Sequence, residues 1–313
     1  MSGVGVARQA GVVKIFDAHC HLQDRRIASV APQLIRTALD SGVQRFVVNG
    51  VSEMDWHIVK QMGDEYPSII PCFGLHPWYV NERSPNWFKS LREFLAETPG
   101  AAVGEIGLDK GAHAKNIDFG EQVDVFRQQL ELAKVLEKPV SVHCLRAFGD
   151  LLEIMLSTGP FPAGVILHSY IGSAELVPGL AKLGSYFSFS GHLTSMKLEK
   201  AKKMLKSVGI NVPKDRILIE TDAPDGLLSV KTSSSLPFPD VASIAETENQ
   251  FGDSAAEATS LSKEGLNHPA NIHRVLKYVA TLLEMPEEEL AELSFQNATR
   301  LFSYPGSKVN SDG

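Results

Sequence analysis

Short apolar runs rich in Val, Ile and Phe recur along the chain, separated by longer stretches of mixed polarity. The runs are VVKIFDA (12–18), VQRFVVNG (43–50), SIIPCFGL (68–75), AAVGEIGL (101–108), KPVSVHC (138–144), GVILHS (164–169), SYFSFSG (185–191) and RILIETDA (216–223). Continuous rather than alternating hydrophobicity suits strands buried on both faces, as in a parallel sheet. Between them, FGEQVDVFRQQLELAKVLEK (119–138) carries Val123, Phe126, Leu130 and Ala133 at three- and four-residue steps, one face of a helix. Further helices are predicted over 31–42, 55–67, 85–100, 147–159, 173–184 and 198–209, several ending at Gly or just before Pro. Two more, over 269–285 and 286–302, follow the last run and close the domain.

Strand and helix alternating in this way predict an α/β fold, a (β/α)8 TIM barrel, which takes about 250 residues. The runner-up is an open doubly wound sheet. No GxGxxG follows the first run, which weighs against a dinucleotide-binding version. The predicted organisation is an N-terminal tail (1–11), a single domain (12–303) and a C-terminal tail (304–313). Residues 226–268 break the rhythm, being polar, Ser-rich and aperiodic. A connection of that length is functional or disordered. Coming after the eighth strand, it is expected at the barrel's C-terminal mouth, as a lid or a loose loop.

The 313 residues are 43% hydrophobic and 21% charged, enough to bury a sizeable core. No apolar run nears the roughly 20 residues of a membrane helix, so no membrane association is expected. The start, MSGVGVARQAGVV, has no secretory h-region and is not Arg-rich. The expected compartment is the cytosol, with the nucleus as the alternative. Cys20, Cys72 and Cys144 are far apart, odd in number and form no CxxC, so they read as small buried thiols. A formal charge of −7 argues against a surface that coats nucleic acid non-specifically. It leaves room for a local cationic site supplied by bound metal. No obligate protein partner is evident.

The chemistry lies where the runs end. His19 and His21 end the first, Glu105 the fourth, His143 the fifth, His168 the sixth and Asp222 the eighth. In a barrel these ends meet at one face. Side chains alternate along a strand, so positions 19 and 21 face the same way. Taken singly, each histidine reads as a hydrogen-bonded packing residue, Glu105 as a loop cap and Asp222 as part of a turn. Together they point to a shared metal site, because carboxylates among apolar strands are costly to bury without a cation. Imidazole and carboxylate suit Zn, Mn, Fe, Ni or Co, and Mg where carboxylate and water dominate. Four imidazoles and two carboxylates are too many for one ion with an open position and about right for two sharing a bridge. His76 and His192 end the third and seventh runs and are candidate substrate contacts. His57 and His113 are expected to face water, and His268 and His273 have no clear role.

The ordered set FDAHCHL, GLHPW, GEIGLD, SVHC, LHSYIG, SFSGH, ETDAP and NATRLF resembles the TatD family of metal-dependent deoxyribonucleases, within the amidohydrolase superfamily, over residues 15 to about 303. The resemblance implies a (β/α)8 barrel hydrolysing DNA phosphodiesters, often as a 3′–5′ exonuclease. It implies two divalent ions (Mg, Mn or Zn), with His19, His21 and Asp222 at the first, His143 and His168 at the second, and Glu105 bridging. Two features depart from it. The family often has Arg two positions after the strand-five histidine, whereas here Arg146 comes one residue later. The 226–268 insertion is longer than in compact members.

On this reading Asp222 and Glu105 are the catalytic carboxylates: Asp222 takes a proton from an attacking water, and Glu105 holds the ions that activate it. Arg146 would contact phosphoryl oxygens, and His76, Trp78 or Tyr170 could border a terminal base of single-stranded or end-on DNA. The alternatives are an amide or ester hydrolase on the same centre, such as an aminoacyl-tRNA deacylase, and a non-enzymatic binding protein on the same scaffold.

Overall fold

A computed structural model describes residues 13–211, 214–228 and 265–309. Eight strands lie in one parallel sheet in chain order. They are β1 (Ile15–Cys20), β2 (Val43–Asn49), β3 (Ile69–Phe73), β4 (Ala102–Asp109), β5 (Val140–Leu145), β6 (Val165–Leu167), β7 (Ser185–Phe189) and β8 (Ile217–Ile219). The intervening helices are α1 (Ala31–Asp40), α2 (Trp56–Glu65), α3 (Trp87–Glu97), α4 (Phe119–Val135), α5 (Phe148–Thr158), α6 (Val177–Lys182) and α7 (Leu198–Asn211); α8 (Ile272–Leu283) and α9 (Glu287–Leu301) follow β8. This is the (β/α)8 barrel expected from the pattern. Among the described residues, no helix is long and apolar enough to cross a membrane.

Two apolar layers hold it. The larger lies between strands and helices and includes Phe46, Phe73, Phe126, Leu151 and Val279. The smaller fills the barrel with Phe16, Val47, Ile70, Ile166 and Leu218, and α9 supplies its floor through Ala298 and Leu301, with Phe302 just beyond. Phe16 stacks on Phe302, with centroids 5.6 Å apart and planes 14° apart. The chain then stays on the body: the Tyr304 hydroxyl donates to Gly100 O at 2.9 Å, and Lys308 Nζ to Tyr66 O at 2.9 Å.

The seam between β1 and β8 has no regular ladder among the described residues. At the mouth it is closed by two backbone bonds, Asp222 N–H to His19 O (2.9 Å) and His21 N–H to Ala223 O (2.7 Å). Deeper down, the buried Asp17 carboxylate accepts from Thr221 N–H (2.9 Å) and Thr221 Oγ–H (2.6 Å).

Two local readings change. β4 runs on to Asp109, because its pairing with β5 extends to Leu145, so Glu105 lies inside the strand rather than at its end. Gly107 makes that pairing possible, since a Cβ there would fall 1.9 Å from His143 O. The buried face of α4 includes Gln122 and Gln129, which hydropathy alone passes over. Gln129 bonds the N–H and C=O of Leu75, and Gln122 those of Asp109, tying α4 to the ends of β3 and β4. Of the 226–268 insertion, residues 229–264 lie outside the described residues, as do the N-terminal tail and residues 310–313.

Candidate metal centre

Glu105, buried in the barrel mouth, divides the site between its two oxygens. Oε2 lies 3.2 Å from His21 Nε2 and 3.6 Å from His19 Nε2. Oε1 lies 2.9 Å from His168 Nε2 and 3.3 Å from His143 Nδ1. The two nitrogens of the first pair are 3.1 Å apart and those of the second 3.2 Å. Asp222 Oδ1 joins the first pair, 3.7 Å from His19 Nε2 and 3.6 Å from His21 Nε2. Imidazoles from β1, β5 and just past β6 thus converge on one carboxylate from β4.

Each imidazole turns its other nitrogen toward the protein. His21 Nδ1–H donates to Asn49 O at 2.8 Å, which fixes the tautomer and leaves a lone pair on Nε2. His19 Nδ1 is 2.8 Å from Ser141 Oγ. His143 Nε2–H faces Asp109 Oδ2 at 3.2 Å, so its Nδ1 lone pair points at Glu105. His168 Nδ1 lies 3.4 Å from Glu220 Oε1 without the alignment of a hydrogen bond. Outer partners of this kind orient metal ligands and keep them basic.

Burial opposes charge on every member. For Glu105 the histidines packed around it, with their charge and hydrogen bonds, outweigh burial and hold the carboxyl well below the usual range. For Asp222, too, burial is outweighed, by the His192 hydrogen bond and by His168, and its carboxyl sits low. The carboxylates in turn draw positive charge in. Against burial, Glu105 raises His21 to about 9 and His168 well above the imidazole norm. His76 goes the other way, pushed down to about 4 by burial, and stays neutral. Its Nδ1 accepts from Trp78 N–H at 3.2 Å, so Nε2 carries the proton and faces Glu105 Oε1 at 3.4 Å. That makes His76 a donor toward the mouth, even though its ring lies within ligand distance of Glu105 and His143.

The donor set fits divalent cations. The ligand atoms of His19, His21 and Asp222 lie within 4.8 Å of one another, as do those of His19, Glu105 and His168. Nitrogen lone pairs fixed inward, beside ionised carboxylates, are what a divalent metal of the Zn or Mn kind binds. A cation there would replace the protons that Glu105 holds on His21 and His168.

The other expected residues are placed as follows. His192 Nε2 lies 3.0 Å from Asp222 Oδ2, so it meets the carboxylate that faces the cage. Arg146 is exposed, has φ 56°, and among the described residues makes no hydrogen bond or ion pair. Tyr170 is fully buried against Phe148 and Phe187, its hydroxyl bonded to Ser173 O, so it borders no base. His113 stacks on Trp78, with centroids 4.8 Å apart. His268 is buried, with neither ring nitrogen paired among the described residues, and His273 Nε2–H donates to Ser41 O. The cysteines are free, Cys20 and Cys72 buried and Cys144 half-buried.

Sequence reasoning passed over Asp17, Asp109 and Glu220, all of them buried. A signal was available. Asp17 shares parity with His19 and His21, Asp109 with Glu105, and Glu220 with Asp222. An acid inside an apolar strand, two or four positions from a ligand, faces the same way and needs a partner.

A (β/α)8 barrel whose mouth gathers four imidazoles about a shared carboxylate defines a metallohydrolase. The model of the family described as TatD related DNase matches residues 16–303, and the chain belongs to that family of metal-dependent hydrolases. Similar proteins include the uncharacterized metal-dependent hydrolase YabD of Bacillus subtilis (strain 168), 29% identical over 288 residues, 92% of this chain and 98% of that one. The 3′–5′ ssDNA/RNA exonuclease TatD of Pantoea vagans (strain C9-1) is 26% identical over 290 residues, covering 92% and 99%. Among solved structures, the TatD homologue YjjV of Escherichia coli K12 shares the fold at a TM-score of 0.74 and 23% identity, over 94% of this chain and all of that one.

Proposed function

We propose that the protein hydrolyses DNA phosphodiester bonds, removing nucleotides from the 3′ end of single strands. In this reading it holds two divalent cations (Mg, Mn or Zn), one at His19, His21 and Asp222, the other at His143 and His168, with Glu105 shared. The observation that carries the reading is the division of Glu105, whose Oε2 serves one histidine pair and Oε1 the other. Divalent ions held by these residues would supply a lowered water pKa and offset charge on phosphoryl oxygens. The likeness to the Pantoea vagans exonuclease supports the substrate class.

The chain's own residues supply the remainder. Asp222, held ionised, accepts the proton of the attacking water at Oδ1 while its Oδ2 stays bonded to His192. The His192 side chain, 45% exposed, donates to Oδ2 from the solvent side and holds the carboxylate in this orientation. His76 keeps its Nε2–H available to a phosphoryl oxygen at any pH above about 4. Arg146, exposed one residue past β5, would meet a phosphate farther along the strand.

The test uses end-labelled single-stranded DNA with Mg²⁺, Mn²⁺ or Zn²⁺, with and without chelator, beside RNA and an aminoacyl ester. Metal-dependent shortening from the 3′ end, lost in Glu105→Gln, is the expected result. Cleavage of the ester but not of DNA by metal-loaded protein would replace this reading with the amide or ester hydrolase.

A further inference from the structure

Trp78 is the only aromatic among the exposed large hydrophobic residues of the described chain, at 36% exposure. The other two tryptophans, Trp56 and Trp87, are buried. An indole left in water at the rim of a polar cleft forgoes the stabilisation of burial. This one is nonetheless held firmly. Its Nε1–H donates to Asp109 Oδ2 at 2.5 Å, and that same oxygen lies 3.2 Å from His143 Nε2. Its ring meets the edge of His76 at 4.8 Å and 80°, and lies 6.0 Å from the His143 ring. On another side, exposed His113 lies against it at 4.8 Å with a tilt of 31°. Two exposed aromatic rings therefore stand together beside a ligand histidine, and a buried carboxylate fixes one of them relative to that ligand.

We propose that Trp78 and His113 form the seat for the unpaired nucleobase next to the scissile phosphate, with Asp109 setting the distance between that seat and His143. This rests on the nucleic-acid reading given above. A π face accepts any base, so the seat confers a preference for single strands without sequence preference. A paired base is already stacked within its duplex and cannot enter. Trp78 is then a specificity-determining residue, His113 its partner and Asp109 a positioning residue.

The test reads binding apart from cleavage. Metal-loaded wild-type protein is titrated with a short single-stranded oligonucleotide made uncleavable by phosphorothioate linkages, and with the same strand carrying abasic residues at its 3′ end, while tryptophan emission is followed. Because Trp56 and Trp87 are buried, quenching reports Trp78. Quenching by the base-bearing strand, absent with the abasic strand and absent in the added variant Trp78→Phe, is the expected result. In the active enzyme at saturating metal, Trp78→Ala should lower kcat/KM on single-stranded DNA by roughly 5- to 150-fold. On the abasic strand it should lower kcat/KM by less than about threefold. His113→Ala should give a smaller loss of the same pattern. Trp78→Phe keeps a stacking ring but lacks the N–H, so it should retain KM while metal affinity falls about 10-fold or more. Equal quenching by both strands, or equal loss on both in Trp78→Ala, would overturn the proposal even if DNA is cleaved. Quenching confined to the base-bearing strand would uphold the seat even if cleavage failed and the nuclease reading with it.

Discussion

At the floor of the barrel Phe16 stacks on Phe302; three residues up the same strand, His19 lies against His168 with ring centroids 4.0 Å apart. Both pairs are buried, stacked and drawn from distant parts of the chain. The floor pair gains by leaving water. The mouth pair is placed there at a cost, because each imidazole is polar and its neighbours are ionised. The floor therefore makes the mouth affordable: apolar packing around α9 fixes strand ends that would otherwise spread apart.

The largest effect should come from the mouth. Glu105→Gln keeps the shape but removes the charge shared by both histidine pairs, and kcat should fall on the order of 10³-fold or more. The floor should answer differently. Phe302→Ala opens a cavity beneath Phe16 and should cost about 3–5 kcal/mol in urea unfolding. Its kcat per folded molecule should stay within about threefold of wild type. A comparable kcat loss in both variants would erase the distinction between the two ends.

Metal should stabilise the mouth alone. Divalent ion at about 100 times its Kd adds roughly 2.7 kcal/mol to a protein that binds it only when folded. Chelation should lower the Tm of wild type and Phe302→Ala by the same several degrees, and that of Glu105→Gln hardly at all. A calorimetric scan with and without chelator checks this.

The sequence made the ligands legible because each sits at or near the end of an apolar run, where barrel topology brings strand ends together. It was silent on what the ligands lean on. Asp109 reaches His143 across a strand pair, and Glu220 approaches His168 from β8 to just past β6. Such contacts depend on register, which no local pattern reports. Glu105 is expected at a strand end, yet the strand continues to Asp109, because pairing with β5 extends to Leu145 and only register reports that. Tyr170 resembled a rim residue by position, yet its side chain turns into the layer under α5, against Phe148 and Phe187.

A sharper comparison is between two histidines, the half-buried His21 and the buried His268. His21 has Glu105 beside it and is raised to about 9. His268 lies in the segment that bonds back to Thr221 and Pro224, with no partner on either ring nitrogen among the described residues, and burial pushes it down to about 4. A base whose folded value lies below its unfolded 6.5 binds fewer protons folded than unfolded between pH 6.5 and 4. Its contribution to stability is therefore intact above about 6.5 and lost on acidification, by about 1.4 kcal/mol per pH unit until the folded value is reached. His268→Leu replaces an unpaired polar ring with an apolar side chain. Relative to wild type it should be near neutral in stability at pH 7.5 and more stable by about 1–2 kcal/mol at pH 5.5, by urea unfolding of chelated protein. Chelation matters, because at low pH protons also displace metal from the cage and would add a loss common to both proteins. A difference independent of pH would mean that His268 carries its proton in the folded state, and that burial without a partner does not separate it from His21.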